Sequence, residues 1–470
     1  MANTCFRRKI SRLSPSISYF SKLFLRPISF TDLEIDLKVT RALRKNGIRQ
    51  PTDIQIQAYK SLMSGESAVL NSSTGSGKTL AYALPIVQGI INLKKNKEKL
   101  PRPYALIIVP NIELSYQVCN TFRSLLSVNV CVASEQLPLK LKEADVVVTT
   151  ATYVSTYPLD VLNETRTVVI DEADMLIAKK VGKHGNRDPL FVLIFHLLKE
   201  ENFYLIPGLT SRKRQFVFVG ATMPDSLNKK SKKALPYIRK WVPDLKLLQG
   251  ENTHKFVSSL DMEFVHVLEG NKIKHLLDSI QTFYNTNSLQ TFRVLIFVNK
   301  VHTVSSLHQT LSSATVKDIE TEPDNNQFPD VLMAFQREWK DCIFALHKNI
   351  SVEERLSTLH YFSALPKALL VTTDVSARGL DFPDVDLVIQ YDFSTNIVDV
   401  LHRAGRTARM GKRGKVINFI TERDETLALA LRQAIEEKRP LDYLFSRNRN
   451  FGRKVKEIKQ SEEAADIAST

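Results

Sequence analysis

Ser72-Ser73-Thr74-Gly75-Ser76-Gly77-Lys78-Thr79 packs two glycines, a lysine and five hydroxyl residues into eight positions. Glycines let a backbone curl until successive N–H groups face one anion, and a helix that starts there adds its positive end. In such a loop Lys78 reaches the β and γ phosphates of a nucleotide, and the Thr79 hydroxyl holds Mg²⁺. The run departs from G-x-x-x-x-G-K-[ST] only at its first position, Ser72. A second group, Asp171-Glu172-Ala173-Asp174, follows the apolar run Thr167-Val168-Val169-Ile170. An aspartate at a strand tip binds Mg²⁺ through water, and the adjacent glutamate can polarise an attacking water. Upstream, the amide of Gln55 has the donor and the acceptor that reading an adenine edge requires, and Phe30 could stack on the ring. The chemistry on offer is ATP binding with Mg²⁺ and cleavage of its phosphoanhydride.

Such groups must be delivered by a scaffold. Short apolar runs alternate with helix-length segments from about residue 60 onward. The first half gives Ala68 to Leu70, Ala105 to Val109, Val146 to Val148, Val168 to Ile170 and Phe216 to Val219. The second gives Val294 to Val298, Ile343 to Leu346, Ala368 to Val371, Leu387 to Ile389 and Val416 to Ile420. Near-continuous apolar strands separated by helices imply parallel sheets covered on both faces. A strandless stretch around Leu245 to Lys255 divides the two sets, so the expectation is an α/β chain of two doubly wound domains. Ligands then collect beyond the carboxyl ends of the strands, where the phosphate loop and the carboxylates stand.

The chain has 470 residues, with 65 Lys and Arg against 50 Asp and Glu, a net charge of +15. A 43% hydrophobic and 24% charged composition excludes a largely disordered chain. No apolar run approaches the ~18 residues of a membrane span. Four scattered cysteines form no C-x-x-C pair and argue against a disulfide framework or a zinc site. Six of the basic residues lie between Met1 and Thr31, where no acid occurs and serines recur. Phe6, Ile10, Leu13, Ile17, Phe20 and Phe24 form one helical stripe there. Arg-rich, Ser-rich, acid-free and amphipathic describes a mitochondrial transit peptide over residues 1–29 and a matrix location. A basic arm that touches RNA is the other reading, and Pro15, which would interrupt a long helix, counts for it.

Taken together, these residues resemble the DEAD-box RNA helicases. The resemblance rests on Phe30, Pro51-Thr52-x-Ile54-Gln55, Thr74 to Thr79 and the literal Asp-Glu-Ala-Asp at 171–174. It continues with Asp374-Val375-Ser376-Ala377-Arg378-Gly379-Leu380-Asp381 and with His402-Arg403-Ala404-Gly405-Arg406-Thr407-Ala408-Arg409. It implies two tandem RecA-like domains closing around ATP and single-stranded RNA, here 30–245 and 246–425, followed by a basic extension, 426–470. Arg403 and Arg406 would reach the γ-phosphate as arginine fingers, completing a catalytic set with Lys78, Asp171 and Glu172. Asp381 would contact the ribose. Thr150, Asp174, Thr222, Thr372, Arg378 and His402 are the candidate RNA or coupling contacts.

The RNA-handling elements depart from the family more than the ATP-handling ones. Ile112 stands where an arginine is expected, Thr150-Ala151-Thr152-Tyr153 loses another, and Gly220-Ala221-Thr222 replaces Ser-Ala-Thr. Each lost arginine removes a charge-assisted phosphate contact. Polar stretches at 179–188 and 318–330 read as insertions, and the cations after residue 446 as an RNA-tethering tail. The reading is therefore a monomeric, ATP-dependent RNA helicase that remodels organellar RNA, with mitochondrial large-subunit ribosome assembly preferred over splicing or RNA decay. An ATP-gated RNA clamp with little unwinding is the alternative. A DNA translocase is disfavoured, because Asp-Glu-Ala-Asp with the glutamine element resembles the RNA-specific members.

Overall fold

The computed structural model describes residues 28–444, except 126–127, 133–142, 155–163, 179–213, 224–237, 240–241, 251–252, 254, 288–289, 313–327, 383–384, 410, 438 and 440. The leader, the insertion at 179–188, most of that at 318–330 and the basic tail thus lie outside the described residues. Phe328–Glu338, the end of the second expected insertion onward, is helix.

Ten of the thirteen strands among the described residues match runs expected from the sequence. The first half contains β1 (Ala68–Asn71), β2 (Ala105–Val109), β3 (Val130–Val132), β4 (Val146–Thr150), β5 (Thr167–Ile170), β6 (Gln215–Gly220) and β7 (Lys246–Gln249). They form one parallel sheet in the order β3-β4-β2-β5-β6-β1-β7. The second half contains β8 (Leu260–His266), β9 (Phe292–Val298), β10 (Ile343–Leu346), β11 (Lys367–Thr373), β12 (Leu387–Gln390) and β13 (Gly414–Ile420). Its sheet, also parallel, runs β10-β11-β9-β12-β13-β8.

Among the described residues, the helices of eight or more residues are α1 (Leu37–Lys45), α2 (Asp53–Met63), α3 (Lys78–Lys95) and α4 (Ile112–Ser124) in the first half. The second adds α5 (Lys272–Asn287), α6 (Val301–Ser312), α7 (Phe328–Glu338), α8 (Val352–Ala364), α9 (Ile397–Ala404) and α10 (Glu425–Glu436). Alternate strand residues feed the cores on opposite faces of the first sheet. Val69, Ile108, Val168 and Phe218 pack on one side, and Leu70, Ile107, Val169 and Val219 on the other. Fully burying each such side chain contributes about 1.5–3 kcal/mol.

The stretch expected to be strandless holds β7, which pairs with β1 through Ala68↔Lys246 to Asn71↔Gln249. The first sheet therefore runs past the boundary expected at residue 245 and ends at Gln249. β7 is an edge strand, half exposed along its length, so it lacks the unbroken apolar run of a central strand. β8 is the matching edge of the second sheet, and its alternation of exposed and half-buried positions likewise lacks a continuous apolar run. Neighbouring strands β5, β6 and β1 bring three loops side by side at their carboxyl ends: 171–174, 220–223 and 72–79.

Candidate nucleotide site and the seam between the halves

The phosphate loop leaves β1 and enters α3 through Gly77, whose φ of +82° suits glycine. A Cβ there would also lie 2.3 Å from the Gln55 amide nitrogen. Gln55 itself is 3% exposed. Its Oε1 accepts from Thr52 N–H at 3.0 Å, half of a capping box on α2, and its Nε2 donates to the Gly77 carbonyl at 3.1 Å. Thr52 adds a hydroxyl bond to the Ser76 carbonyl at 3.0 Å. Gln55 thus braces the phosphate loop with one N–H and one lone pair of its amide, in addition to the adenine-reading role expected for it. Phe30, expected to stack on the base, is instead 2% exposed and packs in the first-half core.

Lys78 turns its ammonium onto the Ser72 and Ser73 carbonyls at 3.0 and 2.9 Å. Burial depresses its pKa, against the opposing pull of Glu172, Asp171 and Asp174, so those three carboxylates and the lysine share one electrostatic site. Asp171 accepts from Tyr82 Oη at 2.9 Å and from the Glu172 N–H at 2.9 Å. Burial and then the neighbouring Glu172 charge nevertheless push its carboxyl up to about 7. Glu172 has a φ of +49°, a left-handed conformation that costs a non-glycine residue about 1–3 kcal/mol. Its Oε2 is buried with no hydrogen-bond partner.

Asp174 accepts from the Thr222 N–H at 3.0 Å and also from the Thr222 hydroxyl. His402, on α9 of the second half, lies 3.7 Å from the same oxygen. Burial raises the Asp174 pKa, but His402 and Thr222 outweigh it and hold the carboxyl below its usual range. Glu172, Asp174 and His402 place their ligand atoms within 4.8 Å of one another. Asp174, Thr222 and His402 therefore form one cluster across the seam, as a coupling role requires. Gly220 is tightly enclosed, since a Cβ would lie 3.3 Å from Asp174 Cγ and 3.1 Å from Met223 Cε.

The arginines divide differently from expectation. Arg403 is 1% exposed and spends all five donors inside its own half. It holds Asp374 bidentately at 2.7 Å and reaches the Gln390 side chain at 3.1 Å, the Asp392 carbonyl at 2.6 Å and Asn299 at 2.7 Å. No donor remains for a phosphate, so Arg403 is a structural hub and not an arginine finger. Arg406 donates to the His402 and Leu380 carbonyls, and burial followed by the neighbouring Arg409 charge takes its pKa down to about 10, with Glu172 opposing. Arg409, not singled out from the sequence, lies against the phosphate loop: a Cβ on Gly75 would be 3.0 Å from its Cγ. Its guanidinium pairs with Asp381, which is otherwise largely exposed. The Thr74 hydroxyl crosses the seam to the Gly405 carbonyl at 3.2 Å.

The remaining candidates scatter. Thr150 ends β4 at 9% exposure. Thr372 is fully buried and donates to the Leu346 carbonyl at 3.0 Å, so it belongs to the sheet interior and not to an RNA surface. Arg378 pairs with Asp399, while its carbonyl accepts from Asn111 of the first half at 3.2 Å. Ser72 is buried, and a Cβ on Gly250 would lie 2.2 Å from its hydroxyl, so that first loop position is filled by packing.

The DEAD/DEAH box helicase model matches residues 52–229, and the helicase conserved C-terminal domain model matches 271–411. The DEAD-box ATP-dependent RNA helicase 22 of Arabidopsis thaliana is 27% identical, covering 91% of this chain and 83% of that protein. The ATP-dependent rRNA helicase rrp3 of Neosartorya fischeri is 29% identical, covering 88% and 77%. Among solved structures, the DEAD-box helicase Mss116 bound to ssRNA and UDP-BeF shares the fold at a TM-score of 0.66 and 20% identity, covering 87% of this chain and 78% of that one. Saccharomyces cerevisiae Dbp5 bound to RNA and ADP BeF3 does so at 0.62 and 20%, covering 87% and 93%.

Proposed function

We propose, from the premise that this chain belongs to the DEAD-box RNA helicases and hydrolyses ATP, that it remodels RNA duplexes or ribonucleoprotein in the mitochondrial matrix during large ribosomal subunit assembly. One observation carries the motor reading: the phosphate loop and the Asp171–Asp174 tip of one half face Arg406, Arg409 and His402 of the other. Closure then brings donors for the γ-phosphate to the loop that holds it. Lys78 and the loop backbone bind the phosphates, Glu172 holds the attacking water, and Arg406 and Arg409 face the developing charge.

Mg²⁺ fits the residues present. Thr79 and Asp171 supply hard oxygen donors, and the unpartnered Glu172 Oε2 adds uncompensated negative charge beside them. When bound, the ion neutralises charge along the β and γ phosphates. RNA-stimulated ATP hydrolysis should disappear in Lys78→Ala and Glu172→Gln. Hydrolysis at one rate with and without every RNA tried would sink the motor reading.

The basic, acid-free stripe of residues 6–24 supports the mitochondrial part, and a fusion of residues 1–31 to a fluorescent protein tests it: cytosolic signal counts against it. The relative named as an rRNA helicase supports a ribosomal RNA target. Crosslinking in cells that recovers no mitochondrial ribosomal RNA would redirect the proposal to splicing or decay.

The clamp is the second reading, favoured by α4. Where the family carries an arginine for RNA, this helix has Ile112 and spends its polar groups on the other half of the protein. Asn111 bonds the Arg378 carbonyl, Glu113 pairs with Arg355, and Gln117 meets Asp381. ATP-dependent RNA binding without displacement of a short duplex would select this reading.

A further inference from the structure

Three positions on one stripe at the start of α4, each three residues from the next, meet the segment Arg378–Asp381 of the opposite half. Asn111 caps the helix by accepting from the Leu114 N–H at 2.8 Å and donates its Nδ2 to the Arg378 carbonyl at 3.2 Å. Leu114 packs on Gly379, whose φ is +71° and whose Cβ, if present, would lie 2.6 Å from Leu114 Cδ2. Gln117 clasps one residue's backbone from both sides. The Asp381 N–H donates to its Oε1 at 2.8 Å, and its Nε2 donates to the Asp381 carbonyl at 3.4 Å.

A primary amide carries its acceptor and its donor side by side, so it can engage both the N–H and the C=O of a single residue, as a neighbouring strand would. It therefore fixes both the position and the direction of that backbone. Asp381 needs this support, because its side chain is 77% exposed and packing does not hold it. Its carboxylate in turn holds Arg409, whose stem lies across Gly75 of the phosphate loop. A continuous path thus leaves the ATP-binding half at Gln117, passes through Asp381 and Arg409, and returns to the same half at Gly75.

We infer that Gln117 is a positioning residue for ATP hydrolysis: docking of α4 on Asp381 sets where Arg409 lies over the phosphate loop. Closure of the halves is in this way converted into placement of a guanidinium. The inference rests on reading Arg409 as the arginine that faces the phosphates.

The test is a double-mutant cycle on the full chain, read by ATP turnover at saturating RNA, with thermal unfolding of each variant alongside. Gln117→Met keeps length and helix propensity but loses the amide, and Gln117→Ala removes it without any possible clash. Both should lower kcat roughly tenfold, since misplacing a catalytic group by about 1 Å can cost up to about a hundredfold. Their unfolding transitions should stay with wild type, as should RNA binding without nucleotide. Arg409→Lys should lower kcat further, and adding Gln117→Met to it should change nothing more. Turnover of both Gln117 variants within about twofold of wild type overturns the inference and leaves the Arg409 reading standing, as does a double variant that falls by the product of the single effects. Arg409→Lys turning over like wild type overturns the Arg409 reading and the inference with it.

Discussion

Replacing Asp171 by asparagine should stabilise the nucleotide-free and metal-free protein above neutral pH while abolishing hydrolysis. Burial and Glu172 raise this carboxyl from 3.8 to about 7. A raised folded-state pKa gives stability that is fully present below 3.8 and is lost as pH rises through about 7. Three units correspond to about 4 kcal/mol, so an ionised Asp171 at pH 8 costs on the order of 2–4 kcal/mol once the shared site relaxes. Asparagine carries no charge, can accept from the Glu172 N–H, and can donate to Tyr82 Oη, which rotates to accept. Each kcal/mol moves Tm by about 2–4 °C in a domain of this size. Thermal unfolding in chelator should therefore place Asp171→Asn about 5–15 °C above wild type at pH 8. The gap should narrow steadily as pH falls below about 7 and close only near and below 3.8, where the unfolded chain also holds the proton, and Mg²⁺ at pH 8 should narrow it by replacing the proton with a cation. A gap independent of pH, or a variant no more stable than wild type at pH 8, would refute the electrostatic account of this carboxylate.

Arg403→Ala should destabilise the second half by about 3–5 kcal/mol in chemical denaturation, because it empties a buried site of five hydrogen bonds and leaves the largely enclosed Asp374 without its bidentate partner. Arg409→Ala should instead leave unfolding nearly unchanged and cut RNA-stimulated turnover by about a thousandfold or more, as arginine fingers are worth about 10³–10⁵. A fully folded Arg403→Ala with selective loss of turnover would reverse the roles assigned to these two residues. Gly77→Ala should displace Gln55 and cost about 1–3 kcal/mol in the backbone alone, read as weaker ATP binding by calorimetry. Gly379→Ala should weaken ATP-dependent RNA binding by roughly ten- to a hundredfold, because it opposes Leu114 across the seam, and its φ of +71° should cost the second half a further ~1–3 kcal/mol in denaturation.

The elements that carry phosphate chemistry were legible because their patterns are local. Central parallel strands are continuous apolar runs, and the loop and the carboxylates sit directly at strand ends. Edge strands were not legible: Lys246–Gln249 and Leu260–His266 are covered on one side only and carry mixed residues. The Arg403 assignment failed because a fork of five donors suits a phosphate and a buried carboxylate equally well, and only the three-dimensional position of Asp374, Gln390 and Asn299 decides between them. The Thr372 assignment failed because a threonine near a strand end serves the sheet interior as readily as a surface, and only its bond to the Leu346 carbonyl decides between them. Gln55 carried a local signal that could have been used: Thr52-x-x-Gln55 is a capping-box spacing, which commits part of the amide to the helix start. The contacts of Gln117 join residues 264 positions apart and left no trace in either local pattern.

The two sheets are joined edge to edge, from the end of β7 at Gln249 to the start of β8 at Leu260. Ten residues at full extension reach at most about 36 Å. However widely the seam opens, the arginines of one half therefore stay within a short leash of the phosphate loop on the other. A leash of that length holds the effective concentration of one half for its partner in the millimolar range, so re-engagement is a unimolecular event that dilution cannot slow. The chemical step then need not supply the cost of bringing two bodies together, and a small difference in phosphate contacts is enough to switch between open and closed.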